Sequence, residues 1–334
     1  MLPLAMLSLR MLPLFMLLTA ALLSPAPLRA QSTAPKPTTT KTAPAKPALE
    51  VVVLGSGGPR PFGRGGSSFV VLVDGTPRIL LDAGPGAFVR IGELQLDLDN
   101  VDIVLLTHLH IDHTGDLASF FNARALDSDG PITYRIFGPD GAGQFPKTSR
   151  FVDQLIGKDG AWAYQTTFGA DETFDVHDLA IALDSPPTKI VDDPSGLTVE
   201  EIATHHGDCP SVAYRIGYKG ESIVFSGDMD ASAIPNLVQL AKNADLLIFN
   251  CAVLDPPASP SQLYDLHTPP HKIGEAARDA HVKRLVLSHL APDVASQKLA
   301  VRKSIGQSYT GPVSFATDRE RIPVEKGFLQ LQEK

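Results

Sequence analysis

Thr107-His108-Leu109-His110-Ile111-Asp112-His113-Thr114-Gly115-Asp116 is the stretch from which the rest of this chain is read. It places three imidazoles and two carboxylates within ten residues. It follows Val101-Asp102-Ile103-Val104-Leu105-Leu106, an apolar, β-branched run that reads as a buried strand. Ligands at a strand end, continued by a tight turn, can aim several donors at one spot from a rigid support. Alternate residues of an extended segment point the same way, so His108 and His110 can converge on one ion while Asp112 and His113 turn away to serve another. Neutral imidazole and carboxylate are the donors that Zn²⁺ and related borderline metals take.

Four further segments extend the pattern. Ile79-Leu80-Leu81-Asp82-Ala83-Gly84-Pro85-Gly86 places an aspartate and a glycine turn at a strand end. Thr204-His205-His206-Gly207-Asp208, Ser226-Gly227-Asp228 and Leu287-Ser288-His289-Leu290 follow in that order. His205 and His206 are adjacent on a strand and face opposite sides, so only one of them can enter a site. Together with the histidine segment, and in this order, the motifs resemble the metallo-β-lactamase superfamily, on its RNase Z/arylsulfatase-like side. The resemblance runs from Leu49 to the C-terminus. It implies an α/β fold, the αββα sandwich of two mixed β-sheets face to face with helices outside.

The resemblance also implies a dinuclear zinc centre, with Mn²⁺ or Fe²⁺ able to replace zinc. His108, His110 and His206 would hold one metal, Asp112, His113 and His289 the second, and Asp228 would bridge them. His206 is preferred over His205 because its spacing to Pro210, Tyr214 and Arg215 matches the family. A carboxylate has two oxygens to offer a bridge, and paired ions can share a hydroxide at neutral pH. Asp112 is expected to act in catalysis as well as binding. His267, in Leu266-His267-Thr268-Pro269-Pro270, resembles the histidine that this side of the superfamily places over the leaving group, where it would protonate a departing oxygen. Asp82 is expected to be a structural acceptor that fixes the histidine loop. His271, one helical turn on from His267, reads as a surface histidine, and His177 and His281 have no metal-like neighbours.

The chain has 334 residues, 43% hydrophobic and 20% charged, with a net charge of −8; these are globular values. Its first 30 residues differ. Met11–Leu23 is apolar, too short and too proline-flanked for a comfortable membrane span, and fits the core of a signal peptide cut after Ala30. Residues 31–48 are Thr-, Ala-, Pro- and Lys-rich without periodicity, and read as a disordered linker. Residues 49–334 then form the hydrolase domain, in a periplasmic or secreted protein without a stable membrane span after cleavage. Loss of residues 1–30 removes Arg10 and Arg29 and no acid, making the protein more acidic still. Such a surface does not draw in a polyanion over long range. Cys209 and Cys251 are too few for a disulfide framework. Cys209 lies near His206 in sequence, and Cys251 reads as a buried small hydrophobe.

Glu50–Leu54 reads as a strand entering Gly55-Ser56-Gly57-Gly58-Pro59. A nucleotide-binding loop fails here, because Arg60 occupies the last glycine position of the fingerprint and Pro59 and Pro61 block the receiving helix. A turn over the rim of the site is the better reading. Strands are expected at 68–73, 78–81, 132–137, 199–204, 211–218, 222–225, 245–249 and 282–287, with two more near Val313 and Phe328. Helices are expected at 87–94, 116–125, 237–242 and 292–308, and from Pro269 to Ala280, the last capped by Thr268. Residues 138–196 carry mixed signals and are expected to hold family-specific insertions.

The resulting expectation is an exported zinc hydrolase of small anionic esters, aryl sulfates or phosphodiesters. Nucleic acid is disfavoured as partner, since no Lys/Arg-rich arm stands in 138–196, and a homodimer is left open. The alternatives are an RNase Z-like endoribonuclease that processes tRNA 3′ ends, a lactonase or β-lactamase, and a non-catalytic metal-binding extracellular module.

Overall fold

The computed structural model describes residues 46–167 and 169–324. The expected signal peptide, the linker up to residue 45 and the strand near Phe328 lie outside them. Three strands open the fold: β1 (Leu49–Gly55), β2 (Ser68–Val73) and β3 (Thr76–Ala83), with β2 and β3 joined as a hairpin at Asp74-Gly75. There follow α1 (Ala87–Glu93), β4 (Ile103–Leu105), the short α2 (Ile111–Thr114), α3 (Leu117–Asp127), β5 (Ile132–Pro139), α4 (Thr148–Ile156), β6 (Glu172–Leu179) and β7 (Thr188–Asp192). The remainder holds β8 (Thr198–His206), β9 (Cys209–Tyr218), β10 (Glu221–Phe225), α5 (Ile234–Leu240), β11 (Leu246–Asn250), α6 (Pro270–Asp279), β12 (Leu285–Ser288), α7 (Pro292–Ser296), α8 (Lys298–Ile305), β13 (Val313–Phe315) and β14 (Arg321–Val324).

The strands form two seven-stranded sheets, in the orders β14-β1-β2-β3-β4-β5-β6 and β13-β12-β11-β10-β9-β8-β7. Each mixes parallel and antiparallel pairs. Their facing sides share one core that includes Val51, Phe69, Leu81, Leu105, Val212, Tyr214, Phe225 and Ile248. A second cluster packs the outer face of the first sheet under α1, α3 and α4. A third packs the outer face of the second sheet under α5, α6 and α8. Sheets buried on both faces need nearly continuous apolar strands, which is how Val51–Leu54 and Leu246–Phe249 read. The αββα sandwich is therefore the observed fold.

Particular expectations are corrected. Thr268 does not cap α6; its hydroxyl donates to the Met229 carbonyl, and Pro269 stands at the cap position. The long helix over 292–308 is two short helices that break at Gln297. Residues 138–196, whose signals are mixed in the sequence, supply α4 and the edge strands β6 and β7, one for each sheet. Alternation along β6 is polar and half-exposed, as suits an edge, and this hid it among loop signals. Among the described residues no helix is long and apolar enough to cross a membrane.

Tyr214 ties the sheets together. Its hydroxyl, buried between them, donates to the Leu106 carbonyl at 2.8 Å. Beside it in register on β8 is Glu201, buried, with Oε2 lacking a hydrogen-bond partner among the described residues. Desolvation pushes its carboxyl up to about 7. A carboxyl raised on folding contributes stability below its unfolded value near 4.5 and loses it as pH rises through the folded value. Glu201→Gln should therefore raise the thermal midpoint by several degrees at pH 8.5, with a ceiling of about 3 kcal/mol from the shift, and by much less at pH 5. Melts followed by circular dichroism at the two pH values check this.

Candidate metal centre

The site forms where strands of both sheets end. Asp82 is the penultimate residue of β3, β4 leads into Thr107 and His108, and the β8–β9 turn follows His206. Asp228 comes just after β10, and His289 just after β12. In α/β sheets the carboxyl ends of parallel strands are the usual ligand-binding edge. Two of these ends are held in left-handed backbone, Asp82 at φ 53° and His289 at φ 54°, a conformation that costs energy for residues with a Cβ. Close backbone approach demands glycine at two points. A Cβ on Gly84 would lie 2.1 Å from the Asp112 carbonyl oxygen, and one on Gly58 would lie 2.4 Å from the His289 ring. The turn at Gly55–Pro59 is thus a wall of the site.

All seven expected ligand residues are brought together. Donor atoms of His108, His110 and His206 lie within 4.8 Å of one another, as do those of Asp112, His113 and His289. His108 Nε2 is 3.1 Å from His110 Nδ1, and His206 Nε2 is 3.3 Å from the same atom. His289 Nε2 is 3.1 Å from Asp112 Oδ2. Asp228 lies between the groups: its Oδ2 is 3.2 Å from His289, 3.6 Å from His113, 3.8 Å from His206 and 3.9 Å from His108, each measured to Nε2. The two oxygens of Asp228 are thus not equivalent, and only Oδ2 faces the histidines.

The outer nitrogens of two of these rings are fixed from behind. His113 Nδ1 pairs with Asp82 Oδ2 at 2.7 Å, while the Thr107 amide donates to Asp82 Oδ1 at 2.8 Å. His206 Nδ1 meets the Leu266 carbonyl at 2.7 Å. These bonds leave each Nε2 lone pair turned inward, the arrangement that presents imidazole to a metal. His113 Nε2 is buried without a hydrogen-bond partner among the described residues, as befits an atom shaped for an ion. Burial holds His108 well below its usual range and lowers His110 and His206, so all three are neutral. Desolvation opposes charge on Asp228, but His289 and His113 override it and hold the carboxyl well below its ordinary range. The donor set fits divalent metal.

His205 points elsewhere and pairs with Asp230 at 2.6 Å. His267 stands at the rim, its ring centroid 5.3 Å from that of His206 and 5.6 Å from that of His289. Burial pushes it down to about 4, against the attraction of Asp228. His271 is not free surface: it pairs with Asp255 at 2.7 Å, and the Ser304 hydroxyl donates to the other oxygen of that carboxylate. His177 stacks on Phe137 and His281 occupies a left-handed turn; neither belongs to a ligand group among the described residues. Both cysteines are free and buried. Burial pushes each thiol up to about 12, and Cys209 joins no ligand group. Asn250 was missed by the motifs; its only signal is an amide ending an apolar strand between those of Asp228 and His289.

The model of the beta-lactamase superfamily domain matches residues 77–290. The chain belongs to this superfamily. It is 29% identical to a ribonuclease Z of Mycobacterium avium over 288 residues, covering 83% of this chain and 99% of that protein. The crystal structure of human tRNase Z, short form, superposes with a TM-score of 0.64 at 23% identity, covering 83% of this chain and 100% of that one. Zn²⁺-bound PqqB from Methylobacterium extorquens superposes at 0.56 and 15% identity, covering 82% and 99%. The sequence relatives place this metallo-β-lactamase-fold hydrolase on the RNase Z-like branch, and the structural neighbours share its fold.

Asp82→Ala would leave His113 Nδ1 and the Thr107 amide without their acceptor. Loss of such a supporting carboxylate costs about 10–100-fold in metal affinity. Chelator competition should show a loss of that size with the melting of the metal-free protein changed much less.

Proposed function

We propose that this chain is a two-metal hydrolase of phosphodiesters, with zinc as the metal. The observation that carries the reading is the meeting of two donor triads at buried Asp228, whose Oδ2 faces His108 and His206 of one and His113 and His289 of the other. His108, His110 and His206 would hold one ion, Asp112, His113 and His289 the other, with Asp228 between. A bound pair supplies Lewis acidity and makes hydroxide available near neutral pH. The side chains contribute orientation and proton handling. Asp112, held as a carboxylate beside His289, orients the attacking water through its second oxygen. His267, neutral at rest, faces the same space and hydrogen-bonds the leaving oxygen; an anionic diester beside it favours its protonated form, from which it donates.

Phosphodiester is preferred to aryl sulfate because the relatives are ribonucleases. The same kinship supports an RNA 3′-end substrate more strongly than the sequence reading allowed. A small diester is the second reading, favoured by two observations: the net charge of −8, and the segment between α4 and β6, where among the described residues only a short 3₁₀ helix (Ala163–Thr167) stands and a single lysine is set against two aspartates. The apolar Met11–Leu23 run supports export, with Gln31 as the first mature residue, and N-terminal sequencing of protein from the native host tests it. Met1 retained on soluble cytoplasmic protein would favour the RNA substrate.

The purified protein should contain about two zinc ions per chain, cleave diesters, and lose activity to chelator. His110→Ala and Asp228→Ala should lose metal and activity together. A panel of 3′-extended tRNA transcript, bis-aryl phosphate, aryl sulfate, lactone and β-lactam separates the readings; full activity in a metal-free preparation would sink them all.

His267→Ala should leave metal content unchanged and lower kcat by about 10²–10⁴-fold for poor leaving groups. The loss should shrink for leaving groups that are already stable anions. A uniform loss across the series would assign His267 to substrate positioning instead.

A further inference from the structure

Asp228 carries an asymmetry that the ligand set alone does not explain. Its Oδ2 faces four histidine nitrogens, while its Oδ1 accepts a hydrogen bond from Asn250 Nδ2 at 2.7 Å. Asn250 is buried at 5% exposure and ends β11, between the strands that lead to Asp228 and His289. Its backbone N–H donates to the Ser226 hydroxyl at 3.1 Å, and it stands in register with Ser288. The backbone on both sides of Asn250 is therefore clamped to the segments that deliver a central carboxylate and an imidazole. Gly227, between Ser226 and Asp228, closes the turn at φ 59° against the Thr107 side chain.

The chemistry of the amide suits this place. Facing a buried carboxylate, only the NH₂ end of an asparagine can pair with it. The donor occupies one oxygen and adds no charge to a cluster that already holds Asp112 and Asp228. A carboxylate at 250 would set two acceptors against each other unless one held a proton. An apolar residue would leave Oδ1 buried without a partner, free to rotate toward the metals.

We propose that Asn250 is a positioning residue: it ties down Asp228 Oδ1, so that Asp228 serves both half-sites through a single oxygen. This rests on the two-metal reading above. With both oxygens free, the carboxylate could chelate one ion and starve the other. Asn250 thus keeps the two half-sites matched in affinity.

The test uses Asn250→Leu, close in volume but without a donor, loaded with zinc or with Co²⁺. In the wild type two ions should bind with similar affinity. In the variant, one ion should bind about 10–100-fold more weakly in chelator competition, the range seen when a supporting hydrogen bond to a ligand is removed. The Co²⁺ spectrum should change as the bridge is lost; the metal-free variant should melt lower, because a buried carboxylate oxygen loses its partner, but a merely structural loss would weaken both ions alike rather than one. Two ions bound with unchanged affinity and spectrum would overturn the proposal. A crystal structure of the loaded wild type decides it even if the variant fails to fold: Asp228 touching both ions through one oxygen, with Asn250 on the other, supports it. Both oxygens on metal, with Asn250 turned away, refute it. Wild-type protein that binds no metal would instead bring down the two-metal reading itself, and this proposal with it.

Discussion

A carboxylate buried at 2% exposure has to be neutralised, and the architecture of this protein can be understood from that requirement at Asp228. An isolated charge so placed would cost far more than a domain's net stability. Here it is met by four imidazole nitrogens from three segments of the chain and by the amide of Asn250. Those segments come from both sheets. The packing of the sandwich and the composition of the centre are therefore one problem: sheets out of register would strand the charge.

The support around the centre is rigid for identifiable reasons. Strand ends lock the backbone at Asp82, His108, Asp228 and His289. Two of these hold left-handed conformations, and neighbouring glycines allow contacts that no side chain would permit. Asp116 adds a tie, its carboxylate accepting from the Gly86 and Phe88 amides that open α1. Tyr214 carries the link across the inter-sheet core. Strain of this kind is stored where the surroundings over-determine the backbone.

The centre and the rim answer different questions. The centre belongs to the superfamily and defines the class of bond that can be broken. The rim, where the Gly55–Gly66 turn, the segment before α6 and Phe145 beside His110 stand, sets what can reach it. His267 is placed by that rim, since the Leu266 carbonyl that receives His206 belongs to the residue before it. The histidine proposed to act on the leaving group is in this way tied to the same contact that orients a proposed ligand.

Much was legible in the sequence because the signals are local. An apolar strand followed by H-x-H-x-D-H reads directly, as do the strands around Val51, Leu80 and Ile248, since burial on both faces leaves unbroken apolar runs. Edge strands β6 and β7 were not legible, because half-exposed alternation looks like loop. The hydroxyl of Thr268 fits a helix cap by pattern, yet it reaches the Met229 carbonyl 39 residues away, which no local window contains. The sequence by itself determined the donor types, their order and the sandwich. Only the tertiary structure decided that Asp228 turns one oxygen inward and that Asn250 holds the other. The physical reason is that these depend on distances between residues far apart in the chain, set by how two sheets meet.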